Sequence, residues 1–461
     1  MKSDLRLSRR SFLAGAAAPA AGRRGAAVKR PNIVLIIADD LAAWMLGCYG
    51  NQEIKTPNID ILARTGVRFL NSLVCTPICS ASRATLFTGR TPMQHGIHDF
   101  LTAKPIAQPP QGQEAPPPSF AQEIMISDLL AAAGYNCAFI GKWHMGNDEN
   151  PGRGYKLTYT MLGGRTHQDP VMSLNGKRIQ EKGYLAELMT RRACEFIDSQ
   201  SAAQPFFLTV SYLNPHVPYD GHPQKYYDMY ADSRFETFGY ERPAPNALRE
   251  KELMADLVGN IRKCAASVTA LDDQVAELVR KIDQKGLRDD TIIIFTGDNG
   301  FLLGRHGLFS KGHASDPINM YEEVMQVPMI WSWRGKIPAE ATRSELISFY
   351  DFLPTVCEAA GIAPPDRNLC GRSYLPLATN KPLPRNQPWP AVAFGYFRYT
   401  QMARDGRYKL VIRHNGEGPN ELYDLRSDPR EKVNQYENPE FLTVRDRLRR
   451  DLDAWLRKYS S

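Results

Sequence analysis

Pro31-Asn32-Ile33-Val34-Leu35-Ile36-Ile37-Ala38-Asp39-Asp40 is the stretch on which the fold turns. The apolar run Ile33 to Ala38 is too short for a membrane span and is rich in β-branched residues, so it reads as a strand. It reads as the first strand of a parallel sheet, and such sheets carry their chemistry outside the carboxyl ends of the strands. The run stops at two carboxylates, Asp39 and Asp40. Paired carboxylates at a strand end suit a hard divalent cation; a helix or turn cap is the plainer reading of the same residues.

Working outward, three further strands read from the same pattern: Asn136 to Ile140, Phe206 to Ser211 and Thr291 to Phe295. Helical patterns lie between them, at Ser127 to Ala133, Tyr184 to Ser199 and Lys251 to Lys285. Another starts at Thr56-Pro57, where threonine is a cap and proline fits the first turn. Alternating strands and helices predict an α/β fold, a large mostly parallel sheet sandwiched by helices. Composition shifts at Pro382 to Pro390. Beyond it Met402 to Ile412 reads as a hairpin around Asp405-Gly406, and Val444 to Lys458 as a closing helix. The expected division is a domain over 31–384 and a smaller C-terminal α+β subdomain over 385–461. Residues 103–119, rich in Pro and Gln, read as an irregular loop.

The chain has 461 residues, 43% hydrophobic and 23% charged, enough for a large core. Its net charge of +7 is local: the first 30 residues hold eight basic groups and one acid, and 49 of each sign remain elsewhere. Global charge therefore gives no case for nucleic-acid binding. Residues 1–30 read as a leader. Ser8-Arg9-Arg10-Ser11-Phe12-Leu13 matches a twin-arginine signal, which implies the twin-arginine export machinery as a partner and a periplasmic or extracellular destination. No later stretch is long and apolar enough for an integral membrane span. The eight cysteines show no zinc spacing, and export would permit disulfides. A Cys75–Cys79 pair is one open reading.

One of those cysteines opens the second informative stretch, Cys79-Ser80-Ala81-Ser82-Arg83-Ala84-Thr85-Leu86-Phe87-Thr88-Gly89-Arg90. The sequence changes here from turn-like (Cys75-Thr76-Pro77-Ile78) to helix-compatible. Cys79 is therefore placed near a helix N-terminus, where free N–H groups favour anions. Arg83 lies one turn on, on the same face. This run resembles the activation motif of type I sulfatases, in the alkaline phosphatase superfamily. The family's more usual middle residue is proline, where this chain has Ala81, which leaves open which maturation enzyme acts. The resemblance covers Pro31 to about Asn438 and implies an alkaline phosphatase-like fold. It also implies that a formylglycine-generating enzyme oxidises Cys79 to formylglycine.

The remaining blocks follow in family order. Thr296-Gly297-Asp298-Asn299-Gly300 comes after the strand Thr291 to Phe295. By resemblance Asp39, Asp40, Asp298 and Asn299, together with the modified Cys79, hold a calcium ion; the all-oxygen set favours Ca²⁺ or Mg²⁺ over zinc. In Gly141-Lys142-Trp143-His144-Met145-Gly146, Lys142 and His144 alternate by two and are expected to project to one side. The resemblance makes Lys142 a sulfate ligand and His144 the partner of the hydrated aldehyde that helps expel sulfate. In Asn214-Pro215-His216-Val217-Pro218, His216 matches the general acid that protonates the leaving alcohol. Lys311, in Gly307-Leu308-Phe309-Ser310-Lys311-Gly312, matches the other sulfate-binding lysine, and Arg83 is expected beside sulfate. The implied mechanism is attack of the aldehyde hydrate on sulfur, then elimination of sulfate, which a serine could not achieve.

The implied function is hydrolysis of sulfate esters on a sulfated small molecule or glycan. Two other readings stay open: a phosphonate monoester or phosphodiester hydrolase of the same superfamily, and a non-catalytic sulfated-glycan binding protein. His95, His98, Arg165, His167 and His313 are candidates for lining the substrate site.

Overall fold

The computed structural model describes residues 29–102, 116–163, 165–414, 416 and 418–460. The twin-arginine segment, and residues 103–115 of the Pro- and Gln-rich stretch, lie outside the described residues.

Among the described residues, ten strands form the main sheet: β1 (Asn32–Asp39), β2 (Val67–Leu73), β3 (Asn136–Gly141), β4 (Leu157–Leu162), β5 (Val171–Leu174), β6 (Lys177–Gln180), β7 (Phe206–Pro215), β8 (Thr291–Gly297), β9 (Met329–Ser332) and β10 (Ala341–Ser348). Their order is β10-β2-β9-β8-β1-β7-β3-β4-β5-β6. The joints β10–β2, β8–β1, β1–β7, β7–β3 and β3–β4 are parallel, and those made by β9, β5 and β6 antiparallel. The sheet is thus mostly parallel, as the sequence predicts. The four strands read from the sequence are neighbours at its centre, and Ile33 faces Phe207 on one side and Ile292 on the other.

Side-chain alternation along β1 makes the layers. Ile33, Leu35 and Ile37 point into one core with Ala81, Ala84, Leu86 and Phe87 of the helix Cys79–Thr88. Val34, Ile36 and Ala38 point into the opposite core with Val268, Leu271 and Val275 of the helix Leu257–Gln284. Each fully buried aliphatic side chain contributes about 1.5–3 kcal/mol. The run is apolar throughout because both of its faces are covered.

The helix at Pro57 forms over Pro57–Arg64, but Thr56 does not cap it. The Thr56 hydroxyl accepts from the Gly47 N–H at 2.9 Å instead. The cap comes from Asp272 of the helix Leu257–Gln284, whose carboxylate accepts from the N–H groups of Asn58 and Ile59. The helical pattern read from Lys251 begins as a 3₁₀ turn, Lys251–Asp256, and becomes α-helical at Leu257.

A second sheet joins β11 (Ala393–Phe397), β12 (Thr400–Arg404), β13 (Tyr408–Arg413) and β14 (Glu421–Asp424) in antiparallel order. The closing helix Leu442–Tyr459 packs on it through Leu448, Leu452 and Trp455. Polar contacts join this unit to the rest. Lys409, wholly buried on β13, pairs with Glu322 at 3.2 Å and with Glu431. On β11, the Tyr396 carbonyl accepts from the Thr76 hydroxyl at 2.6 Å and the Tyr396 N–H donates to the Cys75 carbonyl at 2.8 Å. All eight cysteines are free thiols, so the structure contains no Cys75–Cys79 bond.

Candidate active site

Cys79 is the first residue of the helix Cys79–Thr88, so the expected helix N-terminus is present. Every residue of that helix is buried, Arg83 included. A buried guanidinium needs compensating charge. Arg83 finds it in Asp298, whose Oδ2 accepts from Nε at 2.9 Å. Its Nη1 donates to the Lys142 carbonyl at 2.8 Å and to Ser211 Oγ at 2.6 Å. Arg83 Nη2 is buried without a hydrogen-bond partner, 3.9 Å from Asp39 Oδ1.

The sheet order explains why distant motifs meet. Asp39 ends β1, Asp298 follows β8, Lys142 follows β3 and His216 follows β7, and these are four adjacent parallel strands. Gly141 lets the chain leave β3. It has φ +110°, and a Cβ there would lie 2.0 Å from the Ser211 carbonyl oxygen. The Lys142 N–H then donates to that same carbonyl at 2.9 Å. Asp40 (φ +65°) and His144 (φ +57°) are non-glycine residues in the left-handed region, a strain that clusters at functional sites.

Around Cys79 the polar contacts are dense. Lys311 Nζ lies 2.8 Å from its Sγ, and Sγ lies 3.5 Å from Asp39 Oδ1. Lys311 also pairs with Asp40, and Lys142 with Asp39. The Asp40 N–H donates to Asp298 Oδ1 at 3.0 Å, and Asn299 Nδ2 donates to Asp40 Oδ1 at 2.8 Å. His216 Nδ1–H donates to the Val217 carbonyl, which leaves Nε2 facing the centre, 3.6 Å from Asp40 Oδ2.

Charge follows from this packing. Burial works against the Asp39 carboxylate, but Lys142, His216, Arg83 and Lys311 outweigh it and hold its pKa well below the usual range. Burial pushes Asp298 up to about 6, with Asp39 adding to it and Arg83 opposing. Burial also pushes the Cys79 thiol up to about 12, against the pull of Lys142 and Lys311. As a thiol Cys79 is protonated at neutral pH and a poor nucleophile. Burial lowers His216 to about 4, partly offset by Asp39 and Asp40, and lowers His144 well below its ordinary value, with Lys142 adding to the effect.

The donor set fits a hard cation. Asp39, Asp40 and Asp298 bring three buried carboxylates, and Asn299 Oδ1 is buried with no hydrogen-bond partner. Donor atoms of Asp39, Asp40, Cys79 and His216 lie within 4.8 Å of one another. Sequence reasoning did not include His216 among these donors.

Other expectations need correction. Lys142 and His144 follow β3, as expected, but the two-residue alternation does not hold, because the backbone turns left-handed at His144. His144 instead takes a left-handed turn, its N–H donating to Asp148 at 2.9 Å and its Nε2–H to the Leu101 carbonyl at 3.0 Å. Its Nδ1 is buried without a partner. His95 lies behind the helix, bonded to Thr85 Oγ1 at 3.1 Å, and so does not line the site. His98 is half-buried beside Tyr396, and Arg165 lies on the surface 3.9 Å from Glu250. His313 is buried next to Phe100, two residues from Lys311. His167 donates to the His216 carbonyl at 3.3 Å. Sequence reasoning missed Ser211, Asp148 and Ser80, which accepts from the Leu101 N–H at 3.0 Å. Only Ser80, beside Cys79, lay within a motif already singled out.

A family model described as "Sulfatase" matches residues 31–362, and one described as "N-sulphoglucosamine sulphohydrolase, C-terminal" matches 304–458. The chain is 26% identical to an N-acetylglucosamine-6-O-sulfatase of Bacteroides thetaiotaomicron, over 94% of this chain and 87% of that protein. Its fold is similar to that of a protein solved in complex with its substrate, D-glucosamine-2-N,6-O-disulfate (TM-score 0.78, 24% identity, 94% and 98% of the two chains). It is also similar in fold to a phosphonate monoester hydrolase of Agrobacterium radiobacter (TM-score 0.68, 22% identity, 94% and 96%).

Proposed function

Because this chain belongs to the sulfatase family, and is a sulfuric ester hydrolase, we propose that it releases sulfate from sulfated carbohydrates with Cys79, oxidised to formylglycine, as nucleophile. The observation that carries the reading is the placement of Cys79. It opens a buried helix with Lys311 Nζ at 2.8 Å and Asp39 Oδ1 at 3.5 Å, inside a centre of three cationic side chains and three carboxylates. The substrate class rests on similarity to the N-acetylglucosamine-6-O-sulfatase.

Each residue has a task its surroundings suit. As the aldehyde hydrate, residue 79 supplies one hydroxyl to attack sulfur and a second whose deprotonation releases sulfate. Asp39, Asp40, Asp298 and Asn299 are the residues that would hold a calcium ion, which would supply positive charge to the sulfate site. Arg83 Nη2, buried and without a partner, offers a donor to a sulfate oxygen. Lys142 and Lys311 add two preorganised ammonium charges, a form of stabilisation strongest where water is excluded. The neutral His144 ring, anchored at Nε2 by Leu101, has Nδ1 left to take the proton from the hydrate. His216 presents Nε2 as the atom that protonates the leaving oxygen. Burial resists its charging, so the protonated form is a minority at neutral pH but a stronger acid than an ordinary imidazolium.

The test is a desulfation screen over defined sulfated sugars, with an aryl sulfate and an aryl phosphonate alongside. Sulfate release from at least one sugar, and aryl sulfate turnover at least roughly tenfold above phosphonate turnover, is expected; tenfold equals about 1.4 kcal/mol in the barrier. Faster phosphonate hydrolysis with no sugar desulfated would replace this reading by the phosphonate one.

A further inference from the structure

Behind His216 lies a buried polar network that the reaction as described does not use. His167 is 1% exposed, and its Nε2 lies 3.3 Å from the His216 carbonyl oxygen. A carbonyl only accepts, so Nε2 carries the proton and Nδ1 is the lone-pair nitrogen. That Nδ1 has no hydrogen-bond partner. The His222 ring lies 4.3 Å from the His167 ring, centroid to centroid. His222 Nδ1 is 2.9 Å from the Tyr184 hydroxyl, which accepts from Asn214 Nδ2 at 2.9 Å. Asn214 Nδ2 also donates to the Ser267 carbonyl at 3.1 Å. The turn at Gly221 (φ +92°) brings the backbone to the His167 side chain, where a Cβ would lie 3.5 Å from His167 Cβ.

The network therefore holds the His216 segment at two points. Asn214, near the end of β7, is tied to Tyr184 and Ser267. His216 itself is tied through its carbonyl to His167. Between them the His216 ring has one hydrogen bond, from Nδ1 to the neighbouring Val217 carbonyl. Such a local bond turns with the segment that carries it, so the direction of Nε2 depends on where the main chain is held. Burial lowers His167 to about 4 and His222 to about 3, so at neutral pH both rings act as uncharged spacers.

We propose that His167 is a positioning residue: through the His216 carbonyl it aims His216 Nε2 at the leaving oxygen. The proposal rests on the reading of His216 as the proton donor. It separates His167 from residues that merely stabilise the fold. A mis-aimed acid hurts only leaving groups that need a proton, whereas a weakened fold hurts all substrates alike.

The experiment uses the full-length, matured enzyme and a series of aryl sulfates with phenols of graded acidity, following log kcat/KM against phenol pKa. His167→Ala should leave the most acidic phenol, 4-nitrophenol, within roughly threefold. It should slow the least acidic one by roughly 10–100-fold, a part of the 10²–10⁴ that general acid catalysis supplies. The plot steepens. His167→Gln, whose amide N–H can replace Nε2–H, should restore most of the wild-type slope. Tyr184→Phe keeps the packing, removes the hydroxyl between Asn214 and His222, and should steepen the slope in the same sense by loosening the Asn214 anchor; His167→Leu, which fills the space without a donor, stands in if His167→Ala does not fold. His216→Ala is the control and should steepen it most. If His216→Ala steepens the plot while His167→Ala and Tyr184→Phe leave it parallel to wild type, the positioning role is wrong and the acid role stands. If His216→Ala leaves the slope unchanged, both are wrong.

Discussion

Cys79→Ala is expected to abolish sulfate release while leaving the protein folded. The two outcomes separate because the side chain contributes little to packing and everything to the proposed chemistry. Alanine has the highest helix propensity and suits the first position of the helix Cys79–Thr88. Lys311 keeps its partner Asp40 when the sulfur is gone, so no buried charge is orphaned. The thermal midpoint should stay within a few degrees, as a change of about 1 kcal/mol moves it only about 2–4 °C in a domain of about 150–250 residues, and by less in a larger one. Activity should fall by roughly 10⁴ or more, since nothing remains to attack sulfur. Wild type matured in a competent host should yield a residue-79 peptide lighter than its cysteine form and reactive with a hydrazine probe. Full activity from enzyme carrying an unmodified Cys79 thiol would overturn the assignment.

Asp298→Ala should cost almost as much activity and, unlike Cys79→Ala, much stability. Asp298 accepts from Arg83 Nε at 2.9 Å and from the Asp40 N–H at 3.0 Å. Removing it strands a wholly buried guanidinium, which costs about 3–5 kcal/mol. Asp298→Asn is the cleaner probe, because it can still accept from the Asp40 N–H while losing the charge. Its kcat/KM should fall roughly 10³-fold, the scale of a lost preorganised charge. Calcium offers a readout independent of turnover: added Ca²⁺ should raise the thermal midpoint of wild type, as any ligand of the native state does, and should do so far less for Asp298→Asn. Near-wild-type rate and an undiminished calcium shift in Asp298→Asn would remove Asp298 from the metal site.

How much of this could be read from sequence depended on how local the signal was. The strands β1, β3, β7 and β8 are buried on both faces, so each carries an apolar run, interrupted in β7 by Thr209 and Ser211. Strand β10 escaped notice because it lies at the sheet edge, where Thr342, Arg343, Ser344 and Glu345 interrupt any pattern. The β5–β6 hairpin also escaped, although Asn175-Gly176 between its strands is a strong hairpin-turn signal. Motif residues were legible because each block is contiguous and follows a strand. Their convergence was not, since the order β8-β1-β7-β3 is a property of the sheet. The capping of Pro57–Arg64 by Asp272 and the hold of Ser211 on Arg83 were invisible for the same reason. Partners 214 and 128 positions apart leave no local trace.

The burial of Cys79 also sets a schedule for making the enzyme. The side chain that closes over its sulfur, Lys311, comes 232 positions later, and Tyr396, which clamps Thr76, comes 320 positions after its partner. At ribosomal speeds of about 5–20 residues per second, the motif stays uncovered for roughly 10–60 s of elongation. On the proposal that Cys79 is converted to formylglycine, the oxidising enzyme must reach the thiol in that interval or before the released chain closes, because the finished fold leaves Cys79 only 2% exposed. Folded protein made without the maturation enzyme should therefore stay unconverted when that enzyme is added later, and become convertible once unfolded in urea. Rapid conversion of the folded form would show that the site opens on its own.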